Sequence, residues 1–344
     1  ATGYSKYAGD ISLSNMAYLC MLHSKIPHGY VKAVHAEKAL ALPGVYGVYH
    51  CLNTTDRKYN RYRSNFDQSY LPNEECAFND YVRFVGDKIG VVAACDQETA
   101  ERAARLVEIE YEELPFSIGF DDTLAGKNCL EGETPVRDEY TLEVGKKQES
   151  TEGLIEVCST MELPRLHHAT METHACIADY DPYSDMLTVY CPNQAVHGIR
   201  TVLADFLEMP ESHVRVVKAT MGGSFGAKQE WFLEPVTALV AKKLCRPVKL
   251  VYSRGEAMTD TIVRGAMRMS ARGYYTPDGE MKEIYCDVTL DAGAYIGNAG
   301  DYVRALAGKP TRCYRIPYMH YHGQVISSNS PVSGAFRSWS AAEE

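Results

Sequence analysis

The β-branched run Val214-Arg215-Val216-Val217 is followed closely by Met221-Gly222-Gly223-Ser224-Phe225-Gly226-Ala227-Lys228-Gln229-Glu230, and then by an apolar, helix-like stretch from Trp231 to Leu244. No other segment constrains the fold as much. A strand that passes through a glycine-rich loop into a helix brings backbone N–H groups together at the junction. Such a junction suits an anionic or oxo ligand. A glycine-rich loop alone is equally compatible with a simple tight turn, so the surrounding motifs must decide.

Around this junction the pattern is α+β. Lys88-Ile89-Gly90-Val91-Val92-Ala93-Ala94 reads as a strand, and Gln97 to Val107 as a helix with Asp96 as its N-cap. From residue 119 to 150 the chain turns acidic and glycine-containing, with Asp121-Asp122, Glu131-Gly132-Glu133 and Gly145-Lys146-Lys147, and loses apolar periodicity. That stretch is expected to be a linker between a domain at 1–118 and another at 151–344. In the second domain, alternation predicts strands at Ala178-Asp179-Tyr180 and Leu187-Thr188-Val189-Tyr190. Val196, Ile199, Val202, Leu203, Phe206 and Leu207 form a helical stripe, and further strands are expected at Val248–Tyr252 and Glu283–Leu290.

The 344 residues fit about two domains, and 45% of them are hydrophobic, enough for real cores. A formal net charge of -10 without a basic patch argues against a nucleic-acid partner. The eleven cysteines are scattered singly with no C-x-x-C pair, which predicts reduced, mostly buried thiols. No signal-peptide pattern and no apolar run near ~20 residues is present, so a soluble cytoplasmic protein without a membrane partner is expected. Ala1-Thr2-Gly3-Tyr4 opens the chain without a methionine and Ser340-Ala341-Ala342-Glu343-Glu344 closes it just after a motif-like segment, so both ends read as cut from something longer.

Three more segments carry polar or turn-forming residues beside strand signals: His167-His168-Ala169-Thr170-Met171-Glu172-Thr173-His174, Pro192-Asn193-Gln194, and Ser333-Gly334-Ala335-Phe336-Arg337-Ser338-Trp339. The first invites a metal-site reading, but it lacks the i,i+4 and knuckle spacings of zinc ligands. A strand with buried, hydrogen-bonded histidines is the favoured reading. No G-x-S-x-G elbow supports a nucleophilic triad, and the glycine loop lacks the Gly-Lys-Ser/Thr ending of a Walker motif.

In this order the segments resemble the molybdenum-cofactor subunit of the xanthine dehydrogenase and aldehyde oxidase family. The resemblance rests on His-His-x-x-Met-Glu at 167–172, Asn193-Gln194, Gly222-Gly223-x-Phe225-Gly226-x-Lys228, Asp291-Ala292-Gly293-Ala294-Tyr295, Tyr314-Arg315-Ile316-Pro317 and Gly334-Ala335-Phe336-Arg337. Near the start, Thr2-Gly3, Tyr7, Asp10-Ile11 and Leu42-Pro43-Gly44-Val45 look like the family's hammerhead domain. The resemblance implies a hammerhead-type α/β domain followed by the first part of a molybdopterin-binding α+β domain. It also implies molybdenum held by the pterin dithiolene with no direct protein ligand, the cytosine dinucleotide form of the cofactor remaining open.

Carried over position by position, Gln194, Gly223, Phe225, Gly226 and Arg337 match cofactor-contacting positions, while Gln229, Arg304 and Trp339 fall at substrate-contacting ones. Amide and backbone donors stabilise oxo and sulfido ligands without ligating the metal, which explains these residue types. Family members hydroxylate a heterocycle or aldehyde with oxygen derived from water, using a glutamate as general base. That glutamate belongs to a later Gly-Glu-Pro-type motif, expected beyond residue 344, so this chain alone is expected to be inactive.

Gln229 follows Lys228 where animal xanthine oxidases carry a glutamate, and an amide can still serve a purine edge. The expected substrate is a purine or related N-heterocycle. The alternatives are aldehyde oxidation within the same family, or a non-catalytic cofactor-handling relative. Arg337-Ser338-Trp339-Ser340 departs from the family's Arg-Gly-aromatic-Gly, which puts local backbone geometry in question. Ser338 also stands where carbon monoxide dehydrogenases place a copper-holding cysteine, arguing against a molybdenum–copper site. Iron–sulfur and FAD partner subunits are implied, in a homodimer of heterotrimers, because neither kind of motif occurs here.

Overall fold

The computed structural model describes residues 2–62, 72–127, 129–130, 132 and 134–339. Glu131, Glu133 and Ser340, all used above, lie outside the described residues. The chain divides into two compact units, one formed by Ala1–Pro115 with His168–Thr261, the other by Phe116–His167 with Ile262–Glu344. No helix among the described residues is long and apolar enough to cross a membrane.

The first unit is built on a seven-stranded sheet in the order Val214–Lys218, Met186–Cys191, Ala175–Asp181, Val248–Val251, Ala17–His23, Lys88–Ala94, Val45–His50. Early and late segments of the chain therefore share one sheet. They join where Ala17–His23 pairs in parallel with Val248–Val251, Ala17 opposite Val248 and Leu19 opposite Leu250. Lys88–Ala94 is buried at every position, which is why its sequence is a continuous apolar run after Lys88 rather than an alternation. A separate three-stranded sheet, Tyr81–Val82, Gly29–His35 and Glu108–Glu113, belongs to the same unit.

Helix Gln97–Ala104 is capped as its sequence predicts, with the Asp96 carboxylate accepting from Thr99 N at 2.7 Å, and it ends three residues before the expected Val107. Helix Glu234–Leu244 buries every residue from Glu234 to Ala241, consistent with a helix that is apolar on nearly all sides. It starts after Trp231 because Phe232 N donates to the Glu234 carboxylate and Pro235 occupies the first turn.

The second unit holds a five-stranded sheet in the order Ile155–Leu163, Ala266–Tyr275, Met281–Asp291, Tyr318–Ile326, Val136–Gly145. Met281–Asp291 and Tyr318–Ile326 run parallel, so their connection must cross over, and helix Ala299–Ala307 lies within it. Tyr302, Val303 and Leu306 of that helix join Val288, Leu290, Met319, Tyr321 and Val325 in one core.

The stretch 119–150 differs from the connection its composition suggests. It contains helix Phe120–Leu124 and strand Val136–Gly145, whose antiparallel pairing with Tyr318–Ile326 puts it on the sheet's edge. Asp138, Glu139, Thr141 and Glu143 are tolerated because an edge strand keeps many side chains in contact with water. The opposite edge, Ile155–Leu163, was not expected either, and its side chains are almost all exposed.

Candidate functional site

The glycine loop leaves strand Val214–Lys218 and is fastened from behind by the histidine segment. Glu172 Oε2 accepts from Gly222 N at 2.7 Å and from Lys228 Nζ at 2.6 Å, so one carboxylate oxygen bridges the two ends of the loop. The Lys228 side chain is 2% exposed, and burial pushes its pKa down although Glu172 opposes that shift. His174 Nε2 lies 2.9 Å from the Ala227 carbonyl oxygen. His168 and His174 are both buried, as expected, but residues 167–174 form an irregular approach to strand Ala175–Asp181 rather than a strand. Among the described residues, no three His, Cys, Asp or Glu side chains come together as a metal site.

Held in this way, the loop points backbone donors outward. Gly222 N is taken by Glu172, Ala227 N by Ser224 O, Lys228 N by Ser224 Oγ and Gln229 N by Gly226 O. The N–H groups of Gly223, Ser224, Phe225 and Gly226 find no acceptor among the described residues. Gly223 and Gly226 have φ of +98° and +104°, and Phe225, 54% exposed, has φ of +54°. A β-carbon on Gly222 would collide with the Glu172 side chain. The loop thus leaves a run of backbone N–H groups unengaged, with the Phe225 side chain exposed beside them.

Gln194 lies beside it, just before helix Val196–Phe206. Its N donates to Lys228 O at 2.7 Å, and its Oε1 accepts from Ser224 Oγ at 2.5 Å. Asn193 secures the approach, donating to Glu230 O at 2.8 Å and accepting from Ala195 N at 2.7 Å. The Gln194 side chain is exposed. Gln194, Gly223, Phe225, Gly226 and the half-buried Gln229 are therefore brought together within the first unit.

Arg304, Arg337 and Trp339 belong to the second unit. Arg304, on helix Ala299–Ala307, donates to both oxygens of Asp138 at 2.6 and 2.9 Å. Arg337 is exposed and makes no ion pair among the described residues. Trp339 packs edge-on against Tyr302, with ring centroids 5.9 Å apart, and joins that unit's core. Its buried indole N–H finds no acceptor among the described residues. Ser338 has φ of +74°, a conformation that favours glycine, so the departure from the Gly-containing pattern keeps a glycine-like backbone in a serine.

The approach to this segment is set by the Asp291-Ala292-Gly293 turn. Asp291 accepts from Arg165 at 2.7 Å, from Ser328 Oγ at 2.8 Å and from Gly293 N at 2.9 Å, while Arg165 also donates to Pro331 O at 2.7 Å. Gly293 has φ of +77°, and a β-carbon there would be driven into the Pro331 carbonyl. Gly293→Ala is expected to cost about 2 kcal/mol or more through the left-handed conformation and the clash, read as a lower urea midpoint at unchanged m-value.

Sequence reasoning passed over Ser224, Glu172 and Lys228 as acting groups although it quoted all three inside motifs. The available signal was a lysine three residues before the apolar stretch that opens at Trp231, with a single acidic residue in the histidine segment to balance it.

These features place the chain in a class of cofactor-cradling proteins, and the comparisons define the class: residues 133–344 match the molybdopterin cofactor-binding domain. Residues 2–115 match the a/b hammerhead domain of aldehyde oxidase and xanthine dehydrogenase. The chain belongs to the molybdopterin-dependent aldehyde oxidase and xanthine dehydrogenase family.

It is 30% identical to the xanthine dehydrogenase molybdenum-binding subunit of Escherichia coli O157:H7, over 99% of this chain and 46% of that protein. It is also 30% identical to the nicotinate dehydrogenase large molybdopterin subunit of Eubacterium barkeri, over 97% of this chain and 77% of that protein. The chain thus spans about half the length of the first of these relatives. The aldehyde oxidoreductase of Desulfovibrio gigas shares its fold, with a TM-score of 0.89 at 22% identity over 98% of this chain and 38% of that one.

Proposed function

We propose that the chain forms part of a molybdenum hydroxylase subunit, with a hammerhead-like segment at 1–118 and a cofactor-binding segment at 151–344, acting on a purine or related N-heterocycle. The observation that carries this reading is the set of unengaged N–H groups at residues 223–226 beside the exposed Gln194 amide. That donor set fits the oxo and sulfido ligands of a molybdenum–molybdopterin cofactor, since it offers hydrogen bonds and no metal ligand. When bound, the cofactor would supply oxidation of a substrate carbon with oxygen from water. The chain's own part is to hold and orient it through Gln194, Gly223, Phe225 and Gly226; Arg337 is proposed as a cofactor contact on its motif alone.

Gln229 is proposed to meet the substrate through its amide. Arg304 and Trp339 are the less supported substrate contacts, since Asp138 engages one and Tyr302 packs against the other. This pairing of Arg304 favours a second reading, an uncharged aldehyde as substrate. Electrons are proposed to leave through iron–sulfur and FAD subunits, in a cytoplasmic homodimer of heterotrimers. The cofactor is proposed to be the molybdopterin or cytosine dinucleotide form.

The test is to express the intact gene product in a molybdopterin-competent host. Molybdenum near stoichiometry and turnover of xanthine or nicotinate faster than of benzaldehyde are expected. Gln194→Ala should lower kcat/KM or molybdenum retention by about 10–100-fold, as for other groups that steady a metal's ligands. Turnover of aldehydes alone would overturn the substrate, and absence of molybdenum would overturn the reading itself.

A further inference from the structure

We propose that Ser224 is a positioning residue that fixes which end of the Gln194 amide faces outward. The inference rests on the functional reading above and goes one step beyond it, from the amide to the hydroxyl that aims it.

The argument is an account of donors and acceptors. The Ser224 hydroxyl oxygen accepts from Lys228 N at 3.1 Å, so its proton must be donated elsewhere. It lies 2.5 Å from Gln194 Oε1. Ser224 is 9% exposed, so this proton has little competition from water. With Oε1 committed inward, the Gln194 Nε2 group is left facing out, where it has no acceptor among the described residues. A primary amide has one acceptor end and one donor end of nearly equal shape. Turning it over would let Nε2 donate to the second lone pair of the serine oxygen, but it would strand the buried serine proton, which then has no acceptor at Gln194. It would also present a carbonyl oxygen, instead of two N–H groups, beside the outward amides of residues 223–226. An oxo ligand held there would then meet repulsion in place of donors.

The backbone leaves Gln194 little other freedom. Its own N–H is tied to Lys228 O, the residue whose N–H is tied to Ser224 Oγ, so Gln194, Ser224 and Lys228 form a closed set of three hydrogen bonds. Within that set only the Ser224 hydroxyl distinguishes the two amide orientations.

The experiment is a double-mutant cycle in the intact gene product, comparing wild type, Ser224→Ala, Gln194→Ala, the double variant and Ser224→Thr. Molybdenum retention during prolonged dialysis is measured by mass spectrometry, together with kcat and KM. Loss of molybdenum should be about tenfold faster in Ser224→Ala, at the lower end seen for groups that orient metal-site ligands. Ser224→Thr, which keeps the hydroxyl, should restore it. The double variant should be no worse than Gln194→Ala alone, because the serine acts only through that amide.

Additive losses would show that Ser224 acts through the loop rather than through Gln194, and would overturn the proposal. So would an unchanged Ser224→Ala protein. If the wild type carries no molybdenum, the functional reading falls, and the same cycle is read from thermal unfolding of the cofactor-free protein: positions 194 and 224 must then be coupled, and independent effects overturn the pairing.

Discussion

Glu75→Ala is expected to abolish stable folding of the first unit. The Glu75 side chain is 2% exposed and accepts from Arg61 Nε at 2.7 Å, from Lys88 Nζ at 2.7 Å and from Tyr59 OH at 2.8 Å. Arg61 and Lys88 are as deeply buried, and the other carboxylate near Lys88, that of Asp260, stands 3.9 Å away and also serves His23 and Tyr252. Removing Glu75 therefore takes away the nearest counter-charge of two interior cations, Arg61 keeping the field of Glu230 and Lys88 the more distant Asp260. Breaking such a pair from one side costs about 3–5 kcal/mol, a large part of an ordinary domain's stability. The check is urea unfolding, with Glu75→Ala either insoluble or shifted to a far lower midpoint. A near-wild-type midpoint would sink the idea.

The same network sets a pH dependence. Burial pushes the carboxyls of Glu75 and Asp260 up, but Arg61 and Lys88 around the first, and Lys88 and His23 around the second, more than reverse this and hold both below the usual range. A carboxylate lowered in the fold gives stability that is present above its unfolded pKa and lost as pH falls through its folded one. Asp87 has the opposite sign, since burial pushes it up to about 6. Its ionised form is disfavoured in the fold, so stability rises slightly as pH drops through 6. Urea midpoints should therefore rise shallowly from pH 7 to about 5 and fall steeply below about 4, where ordinary carboxylates titrate.

Glu172→Ala is the second large effect. Lys228 would keep a buried ammonium with no carboxylate beside it, and Gly222 N would lose its acceptor, so both ends of the glycine loop come loose together. A cost of about 3 kcal/mol follows for the stranded charge and unmet donor. Because the loop is local, the loss should fall on its own order as well as on global stability, as faster amide hydrogen exchange at residues 222–229. Pairing the change with Lys228→Met should recover part of the midpoint, since the cation is then gone too. Failure of the double variant to recover would mean that Glu172 acts through Gly222 alone.

The strand, glycine loop and helix from Val214 to Leu244 were legible because each part has a strong local signature: β-branched residues, paired glycines and an unbroken apolar run. Asp96 was legible as a cap for the same reason. The edge strands Val136–Gly145 and Ile155–Leu163 were not, because strands in contact with water carry charges that erase apolar alternation. Tertiary partners were also hidden. Glu172 and Lys228 are 56 residues apart, Ser224 and Gln194 are 30 apart, and nothing in either neighbourhood says which polar group will meet which. The motif resemblance located the loop and included Glu172 and Lys228, but it did not say that the two pair to hold it in shape.

The parallel pairing of Ala17–His23 with Val248–Val251 also bears on how the protein is made. A ribosome emits roughly 5–20 residues each second, so the first strand waits on the order of 10–50 seconds for that neighbour to emerge. Through that interval its apolar edge is an open template for other chains. A nascent chain of this design has reason to be shielded by a chaperone until its residues near 250 have left the ribosome.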